Sequence, residues 1–407
     1  MVTLSLVEAL EREARAAHAA LDGLGDAPVA EALGHAARLT GERAREVLGA
    51  NEADLEAAQL DAGALDRLRL DEGRLAAIAE QLRTMAALPP LEREISSWTL
   101  PDGLRVSERR IPVGVVGANF EARPNVAVDV AAQLLKSLNA AVLRTGGAAL
   151  RTVTVLVDDV LRPSLEEAGL PAGAVGLVRS PDREGARALV SLPRLIPLVV
   201  LRGSGETTAA LARLAAENGV RTLAHAEGGG VLYVHGAADP ARAATLVETS
   251  LDRLGVCNRL NVLLVDREAE GLLPELVAVL ERLGMEVARD TPPGHEWAND
   301  PERVATVTVR VVDSLDDAAA LANAETSGLA AGIVTEDAAA AERFLDRYRG
   351  TAAFWHAPTR FTDGFALTGA PETGINVDWV PGPRGPVTYR DLWLRQYRVV
   401  GDGTQRR

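Results

Sequence analysis

Around position 257 the sequence offers its most reactive chemistry. The stretch Leu254-Gly255-Val256-Cys257-Asn258-Arg259 holds the only cysteine of the chain. Helical spacing from 239 to about 253 leads into it, and the apolar run 260–265 leaves it as a buried strand. Cys257 thus belongs to a helix-to-strand turn, where Gly255 lets the backbone bend and admits a close approach. A thiolate presented by such a turn is a nucleophile. A lone cysteine is more often a small buried hydrophobe, and the turn by itself leaves both readings open.

Anion-holding chemistry is offered elsewhere. Arg144-Thr145-Gly146-Gly147 and Arg202-Gly203-Ser204-Gly205 each follow a strand-like run. Glycine there lets backbone N–H groups face an anion and the arginine adds charge, so both turns could hold the phosphates of a dinucleotide. Taken singly, each is equally an ordinary glycine turn, and no intact GxGxxG or GxxxxGKS/T signature stands at a strand-to-helix turn. Glu121-Ala122-Arg123-Pro124-Asn125 opens a helix, with Pro124 suited to its first turn. Arg123 and Asn125 there could contact a carboxylate or an oxyanion. His225-Ala226-Glu227-Gly228-Gly229-Gly230 offers acid and base types, although a lone His-Glu loop is usually a hydrated turn. Pro358-Thr359-Arg360-Phe361-Thr362-Asp363-Gly364 is a dense polar loop, in which Arg360 could equally pair with Asp363 and only shape the backbone. Six histidines and one cysteine assemble no zinc site by spacing, and no metal is expected.

These segments need a scaffold. From 111 onward the pattern is strand, turn, helix, repeated: strands at 111–117, 140–144, 174–179, 196–201, 220–224 and 231–234, helices at 125–138, 149–168, 182–191 and 206–218. Strands at 260–265, 285–288, 304–312 and 332–335 form a second series. Such alternation predicts mostly parallel sheets covered by helices, an α/β architecture. Residues 1–97 read as a helical layer, with Leu10, Ala14, Ala17 and Leu21 on one face and Pro89-Pro90 as its stop. Residues 98–110 read as a hairpin, and 392–400 as a terminal strand for which that hairpin is the expected partner.

The chain of 407 residues is long enough for two or three domains. A net charge of −14 and a pI near 5.1 argue against a nucleic-acid partner. One cysteine allows no intramolecular disulfide, which suits a reducing compartment. No apolar run approaches the ~18 residues that span a bilayer. The N-terminus meets acidic residues before any apolar core, so the expectation is a cytoplasmic protein with no membrane segment.

Taken in order over nearly the whole chain, the segments 111–139, 140–147, 196–205, 255–258, 311–315, 335–345 and 359–364 resemble the gamma-glutamyl phosphate reductase (glutamate-5-semialdehyde dehydrogenase) family of the aldehyde dehydrogenase superfamily. The most specific are Glu121-Ala122-Arg123-Pro124-Asn125-Val126, Gly255-Val256-Cys257-Asn258 and Thr359-Arg360-Phe361-Thr362-Asp363-Gly364. The resemblance implies a Rossmann-like cofactor domain (1–97, 111–233 and 364–385) and an α/β catalytic domain (234–363). A small β arm (98–110 and 386–407) would make a homo-oligomer. It implies NADPH-dependent reduction of gamma-glutamyl phosphate to glutamate-5-semialdehyde and phosphate, a step of proline biosynthesis, with NADP as the oxidised cofactor. Cys257 would attack the acyl carbon, and its own N–H with the amide of Asn125 or Asn258 would stabilise the oxyanion. Arg123 and Arg360 would hold the substrate's anionic groups, with Asp363 or Glu372 for its amino group. The cofactor would fall to Arg144, Gly146, Gly147, Arg202, Gly203, Glu227 and Glu302, with Arg144 reading the ribose or its 2′-phosphate.

The chain also departs from that family. Leu201-Arg202-Gly203-Ser204-Gly205 stands where the family has Pro-Arg-Gly-Gly-Lys, and Asp252-Arg253 where it has Gln-Arg. A paralogue acting on another acyl phosphate, thioester or aldehyde is therefore the second reading, and a non-catalytic homologue the third.

Overall fold

The computed structural model describes residues 4–60, 62–203, 205–225, 229–300, 302–378 and 382–405. The chain divides into two compact units. One comprises Met1–Ala224, Ala370–Gly374 and Val387–Arg407, the other His225–Gly369 and Ile375–Pro386.

The strands of the first unit are β1 (Glu94–Thr99), β2 (Arg105–Pro112), β3 (Val115–Phe120), β4 (Ala140–Thr145), β5 (Val175–Leu177), β6 (Leu198–Arg202) and β7 (Arg221–His225). Short apolar runs form β3, β4, β5 and β6, whereas β1 and β2 are largely polar. The last five make one sheet in the order β5-β4-β3-β6-β7, with β3 parallel to both β4 and β6 and β4 parallel to β5. Alternate residues serve opposite faces. Val116, Ala118, Leu143 and Val200 pack with the helices Asp26–Glu42, Glu72–Ala87 and Pro124–Lys136. Val115, Val142, Val199 and Leu201 pack with Leu4–Ala20, Arg183–Leu189 and Gly205–Glu217. Both faces being covered is what lets a parallel sheet be apolar throughout.

The second unit repeats this logic. Its strands are β8 (Gly230–Val234), β9 (Leu260–Asp266), β10 (Glu286–Ala288), β11 (Thr306–Val312), β12 (Ala330–Val334) and β13 (Ala352–Trp355). They lie in the order β10-β11-β9-β8-β12-β13, every neighbouring pair parallel. Leu232, Val234, Leu263 and Val265 face the helices Pro240–Thr249 and Leu273–Arg282. Val231, Tyr233, Val262 and Leu264 face Leu315–Ala324 and Ala338–Arg347. Two short strands, β14 (Gly374–Asn376) and β15 (Gly385–Val387), pair with each other. The terminal strand β16 (Trp393–Val400) runs antiparallel to β2, in register from Trp393 opposite Pro112 to Val400 opposite Arg105. The hairpin is therefore its partner, as the sequence predicts.

The structure corrects several expected boundaries. The strand expected at 111–117 is two: Ile111 and Pro112 end β2, and Gly114 at φ +114° breaks the chain before β3. The layer read as helical to 97 gives way to β1 at Glu94. A domain limit at 233 would cut through β8, which belongs wholly to the second sheet, and the compact units divide at 224. Residues 364–369 and 375–385 likewise belong to the second unit rather than the first. The helix before Cys257 ends at Thr249, not near 253.

Candidate active site

In the second unit the Cys257 turn is held at the amino end of β9. Asp239 caps the helix Pro240–Thr249 by accepting from the Arg242 N–H, and Leu260 N–H donates to the Ser250 carbonyl at 2.9 Å as the chain enters β9. The loop between them turns on Gly255, whose φ of +70° is in the left-handed region that glycine adopts without strain. Arg259 N–H closes the turn onto the Val256 carbonyl at 3.4 Å, and the Arg259 carbonyl accepts from Gly230 N–H at 2.7 Å. Cys257 is half-buried and packs against Leu329, Ala330, Ile375 and Val377. Such a thiol keeps one side toward solvent and the other in an apolar bed.

The polar loop 359–364 is stapled to this turn. Thr359 Oγ1 donates to the Asn258 carbonyl at 2.8 Å, and Asn258 Nδ2 donates to the carbonyls of Arg360 and Thr362, both at 3.0 Å. Arg360 Nη1 donates to Asn258 Oδ1, and its Nε to Asp252 Oδ1 at 2.6 Å. The approach leaves no room at Gly230, where a Cβ would stand 2.3 Å from Thr359 Oγ1. Cys257, Asn258 and Arg360 are thus brought together, but two expected roles change. The Asn258 amide spends both its N–H and its oxygen on the loop, so it ties the turn and does not face an oxyanion. Asp363 accepts from the N–H groups of Phe365 and Ala366 and caps the helix Gly364–Thr368. It is a cap, and the bonds found on Arg360 go to Asp252 and Asn258 rather than to Asp363. Asp252 enters the sequence reading only as a departure from the family, and Thr359 only as part of the polar loop; neither is given a role there. Asp252 lies in the exposed loop beyond the helix that ends at Thr249.

Behind the turn lies a buried charge. Arg259 is wholly buried, with Nη2 donating to the Thr306 carbonyl at 2.7 Å. Burial pushes its pKa down to about 10, against the opposing pull of the Glu296 carboxylate.

In the first unit, the turns after β3, β4 and β6 share one edge of the sheet, since Phe120 stands opposite both Thr145 and Arg202. The connections run from β3 outward through β4 to β5, then cross to β6 on the far side of β3. The order in which strands are added therefore reverses between β3 and β6, and ligands of doubly wound sheets bind outside the carboxyl ends at such a point. Glu121–Asn125 and Arg202–Gly203 flank it. Arg123 is exposed and precedes the helix Pro124–Lys136, and Asn125 Nδ2 donates to Asp129 Oδ2 at 3.2 Å. Asp129 keeps some accessible surface as a residue, yet its carboxyl is enclosed enough for desolvation to raise its pKa to about 7. The Arg202 charge and the Asn125 bond pull the other way.

A dinucleotide suits this edge. Among the described residues, Gly146 has no atom within 4 Å of a would-be Cβ except the Ala122 nitrogen at 4.0 Å, Gly147 is exposed, and the buried Thr145 hydroxyl has no hydrogen-bond partner. Arg144 does not fit its expected role. It is only 5% exposed, bonded to Asn119 Oδ1 at 3.1 Å and to the Asp182 carbonyl at 2.8 Å. Its guanidinium is turned into the protein, with its pKa lowered by burial. Glu302 is an exposed residue of the second unit whose N–H donates to Asp300 Oδ1 at 3.1 Å, and Glu227 lies outside the described residues. Among the described residues, no helix is long and apolar enough to cross a membrane.

Comparison with known proteins agrees with this arrangement. The model of the aldehyde dehydrogenase family matches residues 4–297. Gamma-glutamyl phosphate reductase of Sphingopyxis alaskensis is 40% identical over 372 residues, covering 88% of this chain and 85% of that protein. The enzyme of the same name from Clavibacter michiganensis is 39% identical, over 89% of this chain and 87% of its own. The crystal structure of gamma-glutamyl phosphate reductase from Thermotoga maritima superposes with a TM-score of 0.90 at 28% identity, covering 98% of this chain and all of that one. The chain belongs to the aldehyde dehydrogenase family and, within it, to the gamma-glutamyl phosphate reductase family.

Proposed function

We propose that this chain reduces gamma-glutamyl phosphate to glutamate-5-semialdehyde and phosphate with NADPH, as a cytoplasmic enzyme of proline biosynthesis. The observation that carries the reading is the half-buried Cys257 in a turn fixed by the 359–362 loop, both motifs being those of the family. The Cys257 thiolate forms a C–S bond to the acyl carbon while the C–O bond to phosphate breaks, leaving a thioester. The developing oxyanion is met by the Cys257 N–H. A nicotinamide cofactor, when bound, supplies the hydrogen and electron pair that the reduction consumes. Gly146, Gly147, Arg202 and Gly203 would hold its phosphates. Cys257 then departs as thiolate when the aldehyde carbonyl re-forms, and the half-buried site limits access of water to the thioester. The sheet of β1, β2 and β16 serves as an oligomerisation arm.

Two assays test this. The gene should restore growth without proline to an auxotroph lacking this reductase. The purified protein should reduce NADP with glutamate-5-semialdehyde only when phosphate is present. Cys257→Ser should fold normally and lose turnover by roughly three orders of magnitude, because a hydroxyl is scarcely ionised at neutral pH. Failure of complementation together with phosphate-independent turnover would overturn the substrate, and wild-type turnover of the serine variant would overturn the nucleophile.

A further inference from the structure

Arg259 is the largest fully buried side chain among the described residues, and the chemistry above leaves it unused. We infer that Arg259 is a positioning residue for Cys257. Its buried guanidinium, balanced by Glu296, fastens the thiol-bearing turn to the strand beside it. The inference rests on Cys257 being the nucleophile, and does not depend on which acyl group the enzyme accepts.

Stability alone gives little reason for arginine here. Desolvating a guanidinium is costly, and a buried ion pair is often no better than apolar side chains of the same volume. The cost is not fully offset, because Nε and Nη1 of Arg259 make no hydrogen bond among the described residues. What arginine adds is reach. The main chain of residue 259 is already fixed twice, by its N–H to Val256 across the turn that contains Cys257 and by its carbonyl to Gly230 at the start of β8. The side chain supplies a third tether on the opposite flank, to the carbonyl of Thr306, the first residue of β11. Strand β9 lies between β8 and β11, so residue 259 is anchored on both sides at the point where the Cys257 turn enters the sheet.

The surroundings hold the guanidinium in place. Glu296, 2% exposed, faces it with opposite charge and is itself held by Asn299 Nδ2 at 2.8 Å. Asn261, two residues on in β9, clasps the loop carrying Glu296. It donates to the His295 carbonyl at 2.9 Å and accepts from the Trp297 N–H at 3.0 Å. Neither the Arg259 side chain nor its counter-charge can shift without moving the turn or this loop.

The test separates positioning from bulk stability. Arg259→Met combined with Glu296→Leu replaces the pair by apolar side chains, so Tm should stay or rise. In that double variant kcat should fall about tenfold or more while KM stays within about threefold, the pattern of misplaced reacting groups. Alkylation of Cys257 by iodoacetamide, followed by mass spectrometry of the intact chain, should slow in parallel. Arg259→Lys, which keeps the charge without the planar fork, should lie between wild type and the double variant on both readouts. Wild-type kcat and alkylation in either variant would overturn the inference. If the wild-type protein proves inactive on gamma-glutamyl phosphate while alkylation still depends on Arg259, the substrate reading fails and this one stands.

Discussion

At the scale of single residues, several side chains that could do chemistry by type are consumed in holding others. Asn258, Asp363 and Arg144 are of this kind. Arg360 is the instructive case. The resemblance assigns it to the substrate, yet its Nε is bonded to Asp252 and its Nη1 to Asn258. Asp252 has a side chain 61% exposed, so that ion pair alone contributes on the order of 0–1 kcal/mol. The bond to Asn258, which is 6% exposed, carries more, because breaking it leaves a buried amide oxygen short of a donor. Arg360 therefore serves first to brace the Cys257 turn. Arg360→Lys, which has one point charge for two acceptors, should lower kcat about tenfold or more with KM within about threefold. Steady-state kinetics on the semialdehyde decides between the roles: a large rise in KM at unchanged kcat would return Arg360 to the substrate. None of these commitments was readable from residue type, since type gives the bonds a side chain can make and only the fold decides which are made.

At the scale of elements, the sequence carried more. Alternating apolar runs located nearly every strand of the two parallel sheets, because a strand buried on both faces must be apolar along its length. The Leu10, Ala14, Ala17 spacing marked a helix face that is buried in the structure. What could not be read were the ends: Thr249, Pro112 and Glu94 are limits set by tertiary partners and by Gly114, not by local pattern. Three turns that looked like separate glycine or arginine loops share an edge only because β3 pairs with both β4 and β6, a long-range fact. The helix Pro124–Lys136 also gains a property no periodicity foretells. Asn125 and Asp129 stand one turn apart on it, and the Asp129 carboxyl sits near neutrality at about 7. A carboxyl whose pKa is raised by folding binds its proton more tightly in the native state. Its contribution is therefore fully present at acid pH and is lost as pH rises from about 4 through 7. Scanning calorimetry should show Asp129→Asn gaining Tm relative to wild type between pH 5 and pH 8. A constant difference across that range would mean that Asp129 is already ionised in the folded protein at pH 5.

At the scale of the whole molecule, the main imbalance lies in the three-stranded sheet of β1, β2 and β16. Every residue of β1 is exposed, and so are all but the first of β16. Trp98, Leu394, Tyr397 and Val399 are between 41% and 54% exposed, and Trp98 meets Tyr397 edge to face at 6.2 Å. The order β1-β2-β16 leaves β1 and β16 as the two edges. An exposed edge strand of eight residues with Leu394, Tyr397, Val399 and Val400 outward invites pairing, and natural proteins blunt such edges unless pairing is their purpose. Here the alternation that would send apolar residues inward is absent, so the sheet cannot be read as one face of this chain's own core. A second copy is the occupant that the arm's own composition favours, since the same apolar residues would then cover one another across a symmetry axis. Placing carboxylates there should oppose assembly by burying unpaired charge. Tyr397→Asp with Val399→Asp is therefore expected to reduce the mass measured by light scattering on a sizing column from that of an oligomer to that of one chain. Far-ultraviolet circular dichroism should stay unchanged, because both parallel sheets lie outside the arm. A wild-type protein that already elutes as a single chain, or a variant that keeps the wild-type mass, would remove this sheet from any role in assembly.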